Sequence, residues 1–469
     1  MTTDMREKGL EDQCVAWLVE TNGYELGVTE DYNRKLALDE TRLMRFLEDT
    51  QGAELDRALG EPRDETKLRK MLDRVTSEIA KRGVVDVLRK GVDFQSAHFT
   101  LFYLPGSVRN EAARFLCARN VFSVIRQLKY AVARGRDNLA LDLALFVNGV
   151  PVVTCELKNL ITRQNVNDAV EQYQTDRDPN EPLFRFKRCM AHFAVDDAEA
   201  RFCTKLEGAK SWFLPFNRGY QDGAGNPPVP GGMRTEYLWK EVFAKDSLTD
   251  IIGNFAQVAK EKDQKTGRET EKQIFPRYHQ LDAVRKLLAS VRAEGIGRRY
   301  LVQHSTGSGK SNSIAWLAHQ LAAMQDAQGD NVVASVVVVT DRVNLDRQIK
   351  ETIRQFMQVS STVGWATASG QLARFLADGK RIIITTIQKF PFILKDIGDA
   401  HRGRRFAIII DEAHSSQSGS LSLSMHQALK AERTEGDAKE EEEDPEDIVR
   451  RIIESRPLLK NASYFAFTA

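Results

Sequence analysis

From Arg299 onward the chain leaves little choice of fold. A β-branched strand, Arg299 to His304, runs into Ser305-Thr306-Gly307-Ser308-Gly309-Lys310-Ser311. A helical segment follows from Ser311 to Met324, with Ile314, Leu317, Ala318 and Leu321 at i, i+3, i+4 and i+7. Glycines at such a junction let the backbone turn tightly, so that its N–H groups converge on phosphate oxygens, and the helix start adds its dipole. Four more strand-like runs supply the sheet: Ser335 to Thr340, Arg381 to Thr385, Phe406 to Asp411 and Ser463 to Phe467. Helical stretches between them argue a parallel sheet covered on both faces.

Within this loop Thr306, Gly307, Ser308 and Gly309 are placed to line a nucleotide's phosphates. Lys310 is placed to reach the β- and γ-phosphates, and Ser311 to ligate Mg²⁺. His304 stands where the usual pattern has its first glycine. Further on, Phe406-Ala-Ile-Ile-Ile-Asp411-Glu412-Ala413-His414 is a buried strand ending in two acids, at the carboxyl edge where α/β sheets bind ligands. Asp411 suits the Mg²⁺ shell, and Glu412 can orient or deprotonate an attacking water. ATP and Mg²⁺ are therefore the expected cofactors.

Composition narrows the setting. With 67 Lys+Arg against 66 Asp+Glu the formal charge is +1, so a nucleic acid would have to be met by local patches. The five cysteines form no C-x-x-C pair, which argues against a zinc or disulfide framework. Neither a signal peptide nor a membrane-length apolar run is visible, and a cytoplasmic protein is expected. The acidic stretch Glu432 to Asp447 reads as a solvated insertion.

The first half has a different texture. Apolar residues up to about Arg136 recur mostly at helical spacing, as in Val15, Leu18 and Val19, and again in Leu116, Val121, Val124 and Ile125. Some strand is expected around Phe99 to Tyr103. Leu141 to Val147, Asn148-Gly149 and Val150 to Lys158 then spell a hairpin. Gly219 to Gly232 must be a loop. Trp212, Phe213, Leu214 and Phe216 read as core packing rather than a stacking platform. The charged stretch after Val258 reads as an interdomain linker, which sets two domains, 1–258 and 259–469.

Asp142 and Glu156 lie on opposite arms of the hairpin, and period two puts Glu156 and Lys158 on one face. Two carboxylates can hold Mg²⁺ that activates water, while a lysine polarises the nucleophile or the phosphate. A two-residue turn, however, would set Asp142 opposite Cys155, out of phase with Glu156. Bringing the two acids together requires a β-bulge or a bent strand between Asp142 and the turn.

The D…ExK arrangement resembles the PD-(D/E)xK nucleases, with Leu141 where the proline would stand. STGSGKS, DEAH and Phe467-Thr468-Ala469 resemble the first motor domain of superfamily 2 helicases, an α/β RecA-like fold. Phe275-Pro-Arg-Tyr-His-Gln280 resembles the segment that reads adenine, with Gln280 as its contact. Val336 to Gln348 and Ile384 to Phe390 resemble segments that hold the DNA backbone.

A nuclease hairpin upstream of such a motor resembles the restriction (R) subunit of type I restriction-modification enzymes, as do Cys189 to Asp196 and Thr204 to Gly219. That resemblance implies Asp142, Glu156 and Lys158 as the cutting residues, with Asp142 and Glu156 on the metal, and Glu11, Gln172 and Tyr173 as accessories. It implies double-stranded DNA and the modification and specificity subunits as partners. It also implies a longer protein with a second motor domain that supplies an arginine finger. Loss of such a finger costs about 10³- to 10⁵-fold in turnover, so a piece ending at Ala469 is expected to bind ATP but scarcely hydrolyse it. The alternatives are a non-restriction superfamily 2 helicase with an unrelated first domain, or a remnant that binds ATP and DNA without catalysis.

Overall fold

A computed structural model describes residues 7–132, 135–136, 138–159, 163–262, 269–305, 307–340, 353, 363–365, 369–386, 403–411 and 461–468. Residues 341–348 and 387–390 of the expected DNA-backbone segments, and the acidic stretch 432–447, lie outside the described residues. The chain divides into two compact units, Met1–His279 and Gln280–Ala469.

The first unit is built on a seven-stranded sheet. Its strands are β1 (Glu25–Leu26), β2 (Phe122–Lys129), β3 (Ala140–Val147), β4 (Val150–Leu157), β5 (Ala191–Val195), β6 (Ala200–Cys203) and β7 (Leu214–Pro215), adjacent in that order. Pairing is parallel at β1/β2 and β4/β5 and antiparallel elsewhere. A parallel neighbour needs a crossover, and helix α2 (Val166–Thr175), between β4 and β5 in sequence, provides it. An Asn165–Asp168 capping box fixes the start of α2, and the Val166 amide donates to Asp196 Oδ2 at 2.7 Å. Helix α1 (Glu7–Ala16) contacts β4.

Val124 and Ile125 correct the helical reading of this region: Leu116 lies in the short helix Glu111–Cys117, but the two β-branched residues lie in β2. Phe122 to Ile125 are buried without a break, because this inner strand is covered on both faces. Alternation disappears in such a strand, and helical spacing arises by coincidence. Farther back, the strand expected around Phe99 to Tyr103 is confined to Ala97–Phe99. Trp212 departs from the core reading as well: it is 78% exposed, while Phe216 is fully buried and Phe213 packs on the edge of the core.

The β3–β4 turn forms as the Asn-Gly pair dictates, with φ of 48° at Asn148 and 77° at Gly149. Unusually for a hairpin tip, it is interior. Asn148 is buried; its Oδ1 accepts from the Val121 amide at 2.6 Å, and its Nδ2 donates to the Leu101 carbonyl at 2.9 Å. A Cβ on Gly149 would stand 2.3 Å from the Asp39 carbonyl and 2.6 Å from the Leu43 amide. Gly149→Ala should therefore combine left-handed strain with backbone overlap and destabilise the fold by about 2–4 kcal/mol. Urea unfolding of the whole chain would register this as a lower midpoint at unchanged slope.

The charged stretch after Val258 is not a linker. Gln257–Lys262 pairs antiparallel with Glu269–Ile274, so the first unit runs on to His279. Gln273 Nε2 donates to the Cys189 and Met190 carbonyls at 2.6 and 2.7 Å, and Lys187 pairs with Glu271 at 2.6 Å. Charge density suggests solvation, and Glu269 to Lys272 are indeed exposed in succession, but they are paired in a ribbon whose end, at Gln273, is buried.

The second unit holds a six-stranded parallel sheet. Its strands are β8 (Arg299–Gln303), β9 (Ser335–Thr340), β10 (Val363–Trp365), β11 (Ile382–Thr386), β12 (Phe406–Ile410) and β13 (Ala462–Thr468), in spatial order β8-β13-β12-β9-β11-β10. Five match the sequence expectation, and three-residue β10 was not anticipated. Helix α3 (Lys310–Ala323) buries Ile314, Leu317, Ala318 and Leu321, the stripe its spacing marked out. None of the five cysteines is in a disulfide, and among the described residues no helix is long and apolar enough to cross a membrane.

Candidate functional site

The hairpin carries the irregularity that the two acids require. Val147 pairs with Val150 and Phe146 with Pro151, but Leu145 pairs with Val153 and Leu143 with Cys155, so Val152 is the extra residue. One inserted residue changes the phase, and Asp142 comes opposite Glu156 instead of Cys155. The Leu157 amide donates to Asp142 Oδ2 at 2.7 Å, which ties the two arms at this point. Lys158 follows directly, buried, with its amide donating to the Val195 carbonyl at 2.9 Å.

Glu11 reaches the same place from α1. Its Oε2 accepts from Gln127 Nε2 at 2.6 Å, and the same nitrogen lies 3.4 Å from Asp142 Oδ1. Arg126 holds the other Glu11 oxygen at 2.6 Å. Gln127 has a φ of 49°, a strained conformation for a non-glycine residue within a strand. Tyr173 turns inward and shares hydrogen bonding with His192 through Thr154 Oγ1, 2.8 Å from each. Burial holds His192 neutral, its pKa pushed down to about 3. Gln172 keeps its side-chain oxygen buried without a hydrogen-bond partner.

Sequence reasoning missed Arg177, which donates to Glu156 Oε1 at 2.5 Å from a buried position. Burial and the neighbouring Asp142 charge nevertheless outweigh this partner and push the Glu156 carboxyl up to about 8. Between about pH 4.5 and 8 the metal-free fold thus keeps a proton that the unfolded chain has released, and stability from this group falls as pH rises. Glu156→Gln should remove that slope. Denaturant unfolding in a chelator at pH 5 to 8 is expected to show the variant gaining on the wild type at each step. Parallel curves would refute the assignment.

Among the described residues no three His, Cys, Asp or Glu side chains gather as a metal site. The pair Asp142 and Glu156 still fits Mg²⁺, which takes one or two carboxylates and fills its remaining positions with water and substrate phosphate. Glu156 Oε2 is buried with no hydrogen-bond partner, as a ligand oxygen would be.

In the second unit the carboxyl ends of β8, β13 and β12 lie side by side. The His304 amide donates to the Thr468 carbonyl, and the Asp411 amide to the Val339 carbonyl, at 2.8 and 2.9 Å. Gly307 and Gly309 have φ of 79° and 86°, so the loop needs glycine at both. Gly309 immediately precedes α3, and Lys310 and Ser311 open the helix. Gln280, expected at the adenine, donates from Nε2 to the Gly309 carbonyl at 3.0 Å. Asp411 is buried at the end of β12. Ser311 and Asp411 supply a hydroxyl and a carboxylate, the oxygen donors that Mg²⁺ takes. Thr306 and Glu412 lie outside the described residues.

Residues 4–211 match the family model of the type I restriction enzyme R protein N terminus, and residues 279–436 match that of the SWI2/SNF2 ATPase. The first part of the chain is thus similar to an R-protein N-terminal region, and the second part to a SWI2/SNF2 ATPase. Curated relatives bear type I restriction enzyme names. The type I restriction enzyme HindI endonuclease subunit of Haemophilus influenzae is 27% identical over 310 residues, 64% of this chain and 28% of the relative. A putative type I restriction enzyme endonuclease subunit of Methanocaldococcus jannaschii, MjaVIIIP, is 23% identical over 440 residues, 88% of this chain and 39% of the relative. The chain spans well under half the length of these relatives. Among solved structures, the UvsW helicase from bacteriophage T4 aligns with 42% of this chain and 54% of its own at 14% identity, with a TM-score of 0.24.

Proposed function

We propose that this chain is the nuclease and first-motor portion of a type I restriction endonuclease subunit, in which ATP-driven movement of double-stranded DNA is coupled to Mg²⁺-dependent cleavage. The bulge at Val152 carries the reading, because it sets Asp142 against Glu156 beside Lys158. Asp142 and Glu156 hold the metal ion, and Lys158 faces the scissile phosphate and the attacking water. When bound, Mg²⁺ stabilises charge on the phosphate and lowers the pKa of a water. Glu11 steadies Asp142 through Gln127. In the second unit the glycine loop and Lys310 cradle the ATP phosphates, Gln280 reads adenine, Ser311 and Asp411 hold its Mg²⁺, and Glu412 orients water.

Bases are read by the specificity subunit, with the modification subunit beside it, in the cytoplasm. The motor draws DNA past that complex, and the nuclease cuts at a distance. Lys158→Ala in the complete complex tests the assignment. Cleavage should fall by about 10²-fold while ATP hydrolysis persists; unimpaired cleavage would place the nuclease chemistry elsewhere.

A further inference from the structure

Arg177 is the most enclosed charged group beside the two acids, with its side chain 2% exposed. Nε donates to Glu156 Oε1 at 2.5 Å, Nη1 to the Tyr130 hydroxyl at 2.9 Å and Nη2 to the Ala140 carbonyl at 2.9 Å. Its guanidinium carbon also lies 5.4 Å from the Tyr130 ring centroid. All three nitrogens are committed, so the group cannot swing aside without stranding buried donors. Of the two Glu156 oxygens, Oε2 is the one left without a partner. Two-oxygen ligation through this carboxylate would make Oε1 serve the metal ion and the guanidinium at once, setting two cations against each other across the 2.5 Å contact, whereas ligation through Oε2 alone avoids this.

Charge is the second consequence. With both carboxylates ionised, as metal ligation requires, the formal charges of Asp142, Glu156, Arg177 and Lys158 cancel, so a bound dication leaves its own full charge uncompensated at the site. A DNA phosphate brings the compensating negative charge and spare oxygen ligands together.

We propose that Arg177 is a positioning residue that restricts Glu156 to one-oxygen metal ligation and, as a resident cation, holds back metal loading until the DNA phosphate enters. The inference rests on reading Asp142 and Glu156 as metal ligands. Its consequence is protective: a nuclease that assembles its metal site only on DNA does not hold a loaded site between encounters.

Mn²⁺ titration of the full chain by calorimetry, without DNA or nucleotide, tests this directly. Arg177→Met, which removes the charge, should bind Mn²⁺ at least about tenfold more tightly than the wild type. Arg177→Lys should stay near the wild type in this titration, yet lose cleavage in the complete complex because the fork is gone. A merely structural arginine would not tighten metal binding when removed. Should the methionine variant fail to fold, Arg177→Gln keeps a donor for Glu156, drops the charge and carries the same expectation.

Asp142→Asn separates the two ideas. If it abolishes Mn²⁺ binding while the charge-removing variants bind no more tightly than the wild type, the role of Arg177 is overturned and the nuclease reading stands. If no variant shows Mn²⁺ binding that depends on Asp142, the nuclease reading fails and the proposal falls with it.

Discussion

Asp142→Ala, in the full-length protein assembled with modification and specificity subunits, is expected to lower DNA cleavage by about 10³-fold and leave DNA-stimulated ATP hydrolysis within about twofold. Charge stabilisation by a bound metal is worth several kcal/mol, and each 1.36 kcal/mol is a factor of ten. Asp142 has two roles in the geometry: it lies opposite Glu156, and its Oδ2 accepts the Leu157 amide at 2.7 Å. Asp142→Asn separates them, because an amide oxygen can still accept that bond but brings no charge to a metal ion. The asparagine variant should be nearly as inactive in cleavage as the alanine variant and melt closer to the wild type. Equal cleavage by Asp142→Asn and the wild type would mean that Asp142 only ties the hairpin arms together, and would sink the metal-ligand assignment. Gel analysis of circular plasmid, with ATP consumption followed in the same tube, gives both readings.

Much of this site is legible in the sequence, and the limits are physical. The side-chain period of a strand shows that Asp142 and Glu156 cannot share a face across a regular two-residue hairpin, so the residue spacing by itself requires a bulge or a bent strand. The strand period leaves the position of the bulge open, although Pro151, which has no N–H for the ladder, is the available signal. Asn-Gly dictates the turn, but nothing in the pair foretells that Asn148 is buried against residues 101 to 121. Arg177 lies beyond reach for another reason. It sits in Asp-Arg-Asp-Pro, a composition that reads as a solvated turn, while its partners Glu156, Tyr130 and Ala140 converge only through the sheet.

The same contrast separates β2 from β8. Hydrophobic spacing identifies an element when one face is wet, and β2 has a buried run across four consecutive residues. In the second unit the strands are short apolar runs, three of them rich in Val and Ile, and five of the six stand out in the sequence. Three-residue β10 is too short to leave a period of its own.

Lys310→Ala in the complete complex carries the other large effect, a loss of ATP hydrolysis of at least about 10²-fold with the fold intact. Alanine is the best helix former, and Lys310 is the first residue of α3, so the substitution should not cost helix stability. What disappears is the cation proposed to meet the phosphates, next to Gly309 with its φ of 86°. Gly309→Ala makes the informative companion, because it fails for a different reason. Its Cβ would lie 2.5 Å from Gln280 Nε2 and the residue would be held in a left-handed conformation, so this variant should lose thermal stability along with hydrolysis. In the complete complex Lys310→Ala should also abolish ATP-dependent cleavage, although Asp142, Glu156 and Lys158 are untouched in the other unit. Retained cleavage without hydrolysis would show that the nuclease acts independently of the motor, and would break the proposed coupling while sparing both sites.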